Sequence, residues 1–220
     1  MSDLPQLIRA ERVALIEFLE TLGPAEWATP SLCGEWTVQE VAAHIAWAPV
    51  TGPLALMVPL AKSGFRINKA SADLAKQYAR RGPAEILTQL RANADSGAKP
   101  AGVPLIAGLV DAVIHAIDMR HPLDSPRAIP GATFDAVAAF SAGAKWPMTV
   151  SVGGSARKRL SGVRLVAEGY DWSYGQGPEV RAAGDAVLRI LNGRKTSRDE
   201  LTGAGADQLA ARLTRGSLLL

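Results

Sequence analysis

Residues 32–47, LCGEWTVQEVAAHIAW, contain the clearest helix start in the chain. Thr37 followed by Glu40 forms a capping box, in which each side chain accepts a hydrogen bond from the backbone amide of the other residue. The helix is predicted to end before Pro49, because proline disfavours helical geometry in the residue that precedes it. His44 then lies two turns into an otherwise apolar helix. This stretch therefore predicts both a buried helix and a candidate functional residue.

Other segments have apolar residues at helical spacing, and glycine or proline marks several of their ends. From residue 146 onward the pattern changes to short segments containing Val, Tyr and Trp between glycines, which is typical of strands and turns. We therefore predict an α+β protein with a helical domain at 1–145 and a small α+β domain at 146–220. The further predicted helices are 4–22, 68–80, 83–94, 104–121, 132–145, 184–192 and 206–214, and the strand-like segments are 148–154, 162–169 and 170–177.

The composition is that of an ordinary globular protein, with 48% hydrophobic residues and a mean hydropathy of +0.08. The net charge of +3 gives no reason to expect a nucleic-acid partner. Cys33 is the single cysteine, so no intramolecular disulfide can form, and we interpret it as a small buried apolar residue. The first residues lack the apolar segment of a secretory signal, which predicts a cytoplasmic protein. The longest apolar run, 48–61, is shorter than a bilayer crossing and is interrupted by Pro53 and Pro59, so we expect no membrane partner.

Asp111, His115 and Asp118 lie at positions i, i+4 and i+7 of the helix predicted at 104–121 and therefore share one face. Their neighbours are apolar, which predicts a buried helix whose polar groups need partners. His44 on a facing helix could complete three ligands of a metal site, since bundle sites are built from inward-pointing side chains. Three nitrogen and oxygen ligands with one open position are typical of a catalytic zinc site. From the residues alone, a capped or hydrogen-bonded Asp–His couple without metal is the simpler interpretation.

LCGEWTVQEVAAHIA followed by DAVIHAIDMR resembles the DinB-like, mycothiol-dependent maleylpyruvate isomerase family. AAGDAVLRILNGRK, residues 182–195, is similar to a helix ending in Gly-Arg that the family's small, sterol-carrier-like C-terminal domain commonly carries. The resemblance implies a four-helix bundle that binds a divalent metal, usually zinc, through His44, His115 and Asp111. The family commonly has glutamate where this chain has Asp111, and Asp is itself an acceptable zinc ligand. Asp118 is expected outside the ligand set, either orienting an imidazole or pairing with Arg120.

The resemblance also implies an activity that uses a low-molecular-weight thiol, mycothiol or a similar compound, as cosubstrate. Zinc would deprotonate the thiol, and the thiolate would add to an electrophile, giving maleylpyruvate-type isomerisation or thiol transfer. The expected partners are therefore the thiol and a small electrophilic substrate, with the protein a monomer or a homodimer. Two alternatives are a non-catalytic protein that binds a metal or an apolar ligand, and a metal-assisted hydrolase that needs no thiol.

Three arginines of the C-terminal part are further candidates. Arg159 and Arg164, in the basic segment ARKRLSGVR, could attract a carboxylated thiol, although charged runs between strands are usually solvated turns. Arg194 follows Gly193 and, as the resemblance suggests, could contact substrate in a catalytic role. It is equally placed to bind the last carbonyls of its own helix.

Overall fold

The computed structural model describes residues 3–99, 102–150 and 152–216, and its contacts divide the chain into two compact units, Met1–Pro126 and Arg127–Leu220. The architecture is a helical N-terminal part and a small mixed-sheet part, so the predicted α+β class is confirmed. The first unit contains α1 (Leu4–Glu20), α2 (Pro24–Trp27), α3 (Val38–Trp47), α4 (Pro53–Lys62), α5 (Ile67–Ala79), α6 (Pro83–Ser96) and α7 (Leu105–Arg120). The second contains α8 (Gly131–Gly143), α9 (Ala156–Arg159), β1 (Arg164–Glu168), β2 (Ser173–Gly175), β3 (Glu179–Ala183), α10 (Gly184–Leu191) and α11 (Ala206–Gly216).

Four helices of the first unit form a bundle. Helix α1 packs against α6 and α7, and α3 also packs against α6 and α7, so the four helices close a ring. Helix α5 packs on the outside of α3, and α4 packs against α5. The shared core is apolar and includes Leu15, Leu19, Val41, Ile86 and Met119, all at most 1% exposed. This arrangement places residues of α3 and α7 side by side inside the bundle.

The start of α3 agrees with the sequence prediction. Thr37 is the N-cap, its hydroxyl accepts a hydrogen bond from the Glu40 amide, and the Glu40 carboxylate accepts one from the Thr37 amide. Each bond satisfies a backbone amide that the first turn leaves without a helical partner. Just upstream, the Leu32 amide donates to the Asp118 carbonyl at 3.0 Å, which attaches the preceding loop to the end of α7.

The second unit is built on a three-stranded sheet in the order β2-β1-β3. Strand β1 pairs antiparallel with β2 and parallel with β3, and α10 packs against β1 and β3. Alternate strand residues are buried, including Leu165, Ala167, Val180 and Ala182. These side chains and the apolar side chains of α10 form the core of this unit.

Two features differ from the sequence-based expectations. Helix α8, which the prediction grouped with the first domain, packs against α9 and α10, so the division predicted at residue 145 lies inside the second unit. An apolar helix carries no local mark of which core it joins, because that depends on tertiary packing. Residues Met148–Val150, expected in a strand-like segment, form a single 3-10 turn. Among the described residues, no helix is long and apolar enough to cross a membrane.

Candidate metal centre

Two helices of the bundle bring three predicted ligands together. His44 lies on α3, and Asp111 and His115 lie one turn apart on α7. Asp111 Oδ1 is 3.7 Å from His44 Nε2 and 3.4 Å from His115 Nε2. One ligand atom from each residue lies within 4.8 Å of the other two. Aspartate, although one methylene shorter than the glutamate common in the family, is therefore long enough to approach both imidazoles.

Each histidine uses its other ring nitrogen in a separate hydrogen bond. His115 Nδ1 is 2.9 Å from Asp118 Oδ2, and the Asp118 side chain is fully buried. His44 Nδ1 is 3.2 Å from the Ser71 hydroxyl, which is carried by α5. Both Nε2 atoms therefore face Asp111. Such outer partners fix the orientation and the tautomer of a metal-binding imidazole.

The charges of the cluster are strongly coupled. Burial alone would raise the pKa of Asp111, but the imidazoles of His115 and His44 outweigh it and hold that pKa far below its ordinary value. Burial alone would lower the pKa of His115, but interactions with Asp111, Asp118 and Cys33 raise it well above its ordinary value. Without a metal, the cluster therefore favours a carboxylate beside an imidazolium.

The site is closed on the histidine side and more open at the carboxylate. The side chains of His115 and His44 are 10% and 16% exposed, whereas that of Asp111 is 34% exposed. The two imidazole rings meet edge to face with their centroids 5.2 Å apart, and the Trp36 ring lies 5.3 Å from His44. Solvent and small solutes therefore reach the cluster mainly from the side of Asp111.

Cys33 belongs to the surroundings of this cluster, which the sequence did not reveal. Its side chain is half-buried and packs at the edge of the bundle core, in keeping with an apolar role. Its sulfur also lies within 4.8 Å of a ring nitrogen of His115 and a carboxylate oxygen of Asp118. The backbone hydrogen bond from the Leu32 amide to the Asp118 carbonyl explains this proximity, because it attaches the loop that carries Cys33 to α7.

The three arginine candidates lie in the second unit. Arg159 donates to the backbone carbonyls of Gly153, Ile190 and Leu191, so its guanidinium supports the end of α10. Arg164 is exposed on β1 and donates to the Ser173 hydroxyl. Arg194 is half-buried and donates to the Asn192 carbonyl just after α10, as expected for a residue that binds the end of its own helix.

Residues 8–102 match the family model described as the mycothiol maleylpyruvate isomerase N-terminal domain. The resemblance predicted from the sequence is confirmed. A solved structure of the mycothiol-dependent maleylpyruvate isomerase superposes with a TM-score of 0.60 and 19% identity, covering 92% of each chain. A solved structure of the same isomerase with one histidine replaced by alanine gives a TM-score of 0.60 and 18% identity, again over 92% of each chain. The chain therefore shares the fold of this isomerase over 92% of its length.

The match to the isomerase N-terminal domain covers only part of the candidate site. It includes Cys33, His44 and Ser71 and ends before Asp111 and His115. A search of curated protein sequences gives no significant match. Support for Asp111 and His115 as ligands therefore comes from their position beside His44 in this chain.

Proposed function

We propose that this chain is a metal-dependent enzyme that uses mycothiol, or a closely similar thiol, to attack a small electrophilic substrate. The reaction class is maleylpyruvate-type isomerisation or transfer of the thiol. The observation that carries the proposal is the convergence of His44, Asp111 and His115 within a bundle of this isomerase fold. The matched N-terminal family, whose name includes mycothiol, supports the choice of cosubstrate.

The three side chains fit a zinc ion. Zinc binds imidazole nitrogen and carboxylate oxygen at about 2.0–2.2 Å, so neighbouring ligand atoms of a tetrahedral site lie roughly 3.4 Å apart. The separations of 3.4 Å and 3.7 Å from Asp111 Oδ1 are close to that value. Three ligands leave one tetrahedral position for an exogenous group. We propose zinc rather than magnesium because two of the three donors are imidazoles.

A zinc ion held by His44, Asp111 and His115 would supply a Lewis acid that keeps a bound thiol in its thiolate form at neutral pH. The chain's own residues orient and shield the centre. Asp118 and Ser71 hold the two imidazoles with Nε2 toward Asp111, and the buried rings exclude water from that side. The more exposed side of Asp111 is where we propose that the thiol and the substrate enter.

The arginines enter the proposal in different ways. Arg194 remains a proposed substrate contact, and Arg164 a proposed contact for a carboxylated cosubstrate because it is exposed. Arg159 is also a proposed contact for a carboxylated cosubstrate. To bind it, the Arg159 guanidinium would have to give up hydrogen bonds that it now donates to backbone carbonyls. We also expect a cytoplasmic location, where a thiol cosubstrate stays reduced.

A turnover assay tests this function directly. Purified zinc-loaded protein is incubated with maleylpyruvate, with and without mycothiol, and the cis and trans isomers are separated by chromatography. We expect turnover only with thiol, its loss in Asp111→Ala, and its retention in Asp95→Ala, a matched change at an exposed aspartate of the same unit. Cleavage of the substrate into hydrolysis products without thiol would instead assign a metal-assisted hydrolase. A zinc-loaded protein that is inactive on maleyl-type and other electrophilic substrates would be a binding protein.

A further inference from the structure

Helix α4 carries large apolar side chains on its outer face. Leu54, Met57 and Val58 lie at positions i, i+3 and i+4 and are 87%, 54% and 59% exposed. Phe65, in the turn after the helix, is 72% exposed. We call these four residues the α4 surface. Single exposed apolar residues are common, but several together on one element mark a site of interaction.

The turn after α4 holds Phe65 in this position. Phe65 has a φ of +61°, in the left-handed region that a bulky side chain rarely adopts. Its amide donates to the Leu60 carbonyl, and the buried Ser63 hydroxyl donates to the carbonyls of Leu60 and Arg66. The fold therefore maintains a strained backbone that leaves an aromatic ring in solvent. Strain kept at an exposed position indicates a functional constraint rather than packing.

The charged side chains of residues 41–72, the segment that carries this surface, are all basic. The sequence contains no acidic residue between Glu40 and Asp73, whereas Lys62 and Arg66 are both exposed at the end of α4. Lys69, the next cation, pairs with Asp73 at 3.0 Å. The α4 surface is thus apolar with a basic edge.

We propose that the α4 surface binds peripherally to an anionic lipid bilayer. Apolar side chains beside lysine and arginine are the features by which helices lie in the interface of such membranes. With ten residues, α4 is about half the length needed to span a bilayer, so the contact is with the membrane surface. The proposal departs from the expectation of no membrane partner, which considered only whether this segment could span a bilayer.

A second copy of the chain fits this surface less well. A two-fold contact centred on α4 would bring no acidic side chain of residues 41–72 to Lys62 and Arg66, so the basic edge would gain no opposite charge from that segment. Four apolar residues are also far fewer than the roughly 20–30 residues per side of a standard protein interface. An anionic lipid surface satisfies the basic edge and needs no matching partner surface.

Vesicle co-sedimentation of the full chain tests the proposal. We expect binding to phosphatidylcholine vesicles that contain phosphatidylglycerol, weak binding to phosphatidylcholine alone, and weaker binding at high salt. Leu54→Ser, Met57→Ser and Val58→Ser combined should lower the partition coefficient at least about tenfold, because the inserted apolar area is lost. Trp146→Ser is the matched control, since Trp146 is 81% exposed in the other unit. Unchanged thermal unfolding of the triple variant would show that it folds.

A second variant tests the basic edge by combining Lys62→Glu with Arg66→Glu. We expect its partition coefficient on the anionic vesicles to be at least about tenfold lower than that of the wild type. Absence of binding to these vesicles would overturn the proposal, and so would binding that the apolar triple variant retains. Analytical ultracentrifugation of the same proteins supplies the remaining outcome. A wild-type dimer that the triple variant dissociates would assign the α4 surface to a second copy of the chain instead. None of these results depends on the metal centre or its activity.

Discussion

Replacing Asp118 with asparagine should weaken zinc binding although Asp118 is not one of the three proposed ligands. Asp118 Oδ2 lies 2.9 Å from His115 Nδ1, and the Asp118 side chain has no exposed surface. The carboxylate keeps the proton on Nδ1, leaves Nε2 as the metal donor and increases its basicity. Asparagine has almost the same volume but carries no charge, so the substitution tests the electrostatic support of His115 in isolation.

The size of the effect depends on how the new amide is oriented. If its oxygen accepts the hydrogen bond from Nδ1, only the charge is lost, and we expect about a tenfold lower zinc affinity, near 1.4 kcal/mol. If its NH₂ group faces Nδ1, the proton moves to Nε2 and the donor is blocked, which gives an effect nearer one hundredfold, about 2.7 kcal/mol. The expected loss therefore lies between these limits.

The assay is a competition titration of zinc between the metal-free protein and a chromophoric chelator at fixed pH. Asp95→Asn is the control, because Asp95 lies on the exposed end of α6 and pairs only loosely with Arg9, at 3.5 Å. Circular dichroism of the metal-free variants establishes that each is folded. An Asp118→Asn protein that is folded and binds zinc as tightly as the wild type would refute the reasoning.

The geometry of the bundle supports three more predictions. Ser71→Ala should lower zinc affinity less than the Asp118 substitution does, because a neutral hydroxyl supports His44; a larger loss in the same titration would contradict this. Zinc affinity should rise with pH by up to about tenfold per pH unit, because the pKa of His115 is raised and the imidazolium must lose its proton before it binds the metal. Calorimetry in buffers of different ionisation enthalpy should detect the release of about one proton on zinc binding. Zinc binding that does not depend on pH would contradict this prediction. Thr37→Ala should lower the free energy of unfolding by about 1 kcal/mol in urea titrations, whereas Thr88→Ala, at an exposed position of α6, should have a smaller effect. Equal effects of the two threonine substitutions would argue against the capping box.

Local sequence patterns predicted those elements whose signals are themselves local. The capping box at Thr37 determines where α3 begins, and it does so in the structure. Helix α4 was not predicted, because Pro53 and Pro59 interrupt its apolar pattern. Strand β3 was also missed, because its buried positions include the small Ala182, which gives only a weak alternation.

Sequence patterns likewise indicated some residues of the candidate site and not others. Helical spacing groups Asp111 with His115, and the position of His44 on another apolar helix makes it the candidate third ligand. The structure brings the three together, while their role as ligands stays a prediction. Ser71 carried no signal, since it is 27 residues from His44 and only the packing of α5 on α3 brings them close. The proximity of Cys33 to His115 likewise depends on a backbone hydrogen bond between two segments that are distant in sequence, from Leu32 to Asp118. Contacts of this kind are absent from any local pattern.

The most direct test of the central claim is the metal content of the purified protein. The chain is prepared without a metal-affinity column, incubated with zinc, desalted and analysed for metal, alongside His44→Ala, Asp111→Ala and the control Asp95→Ala. We predict about one zinc per chain in the wild type and the control, as for a three-ligand site, and little or none in the two ligand variants. A wild-type protein that retains no zinc, and none of nickel or manganese after the same incubation, would contradict the account and leave His44, Asp111 and His115 as an ion-paired cluster.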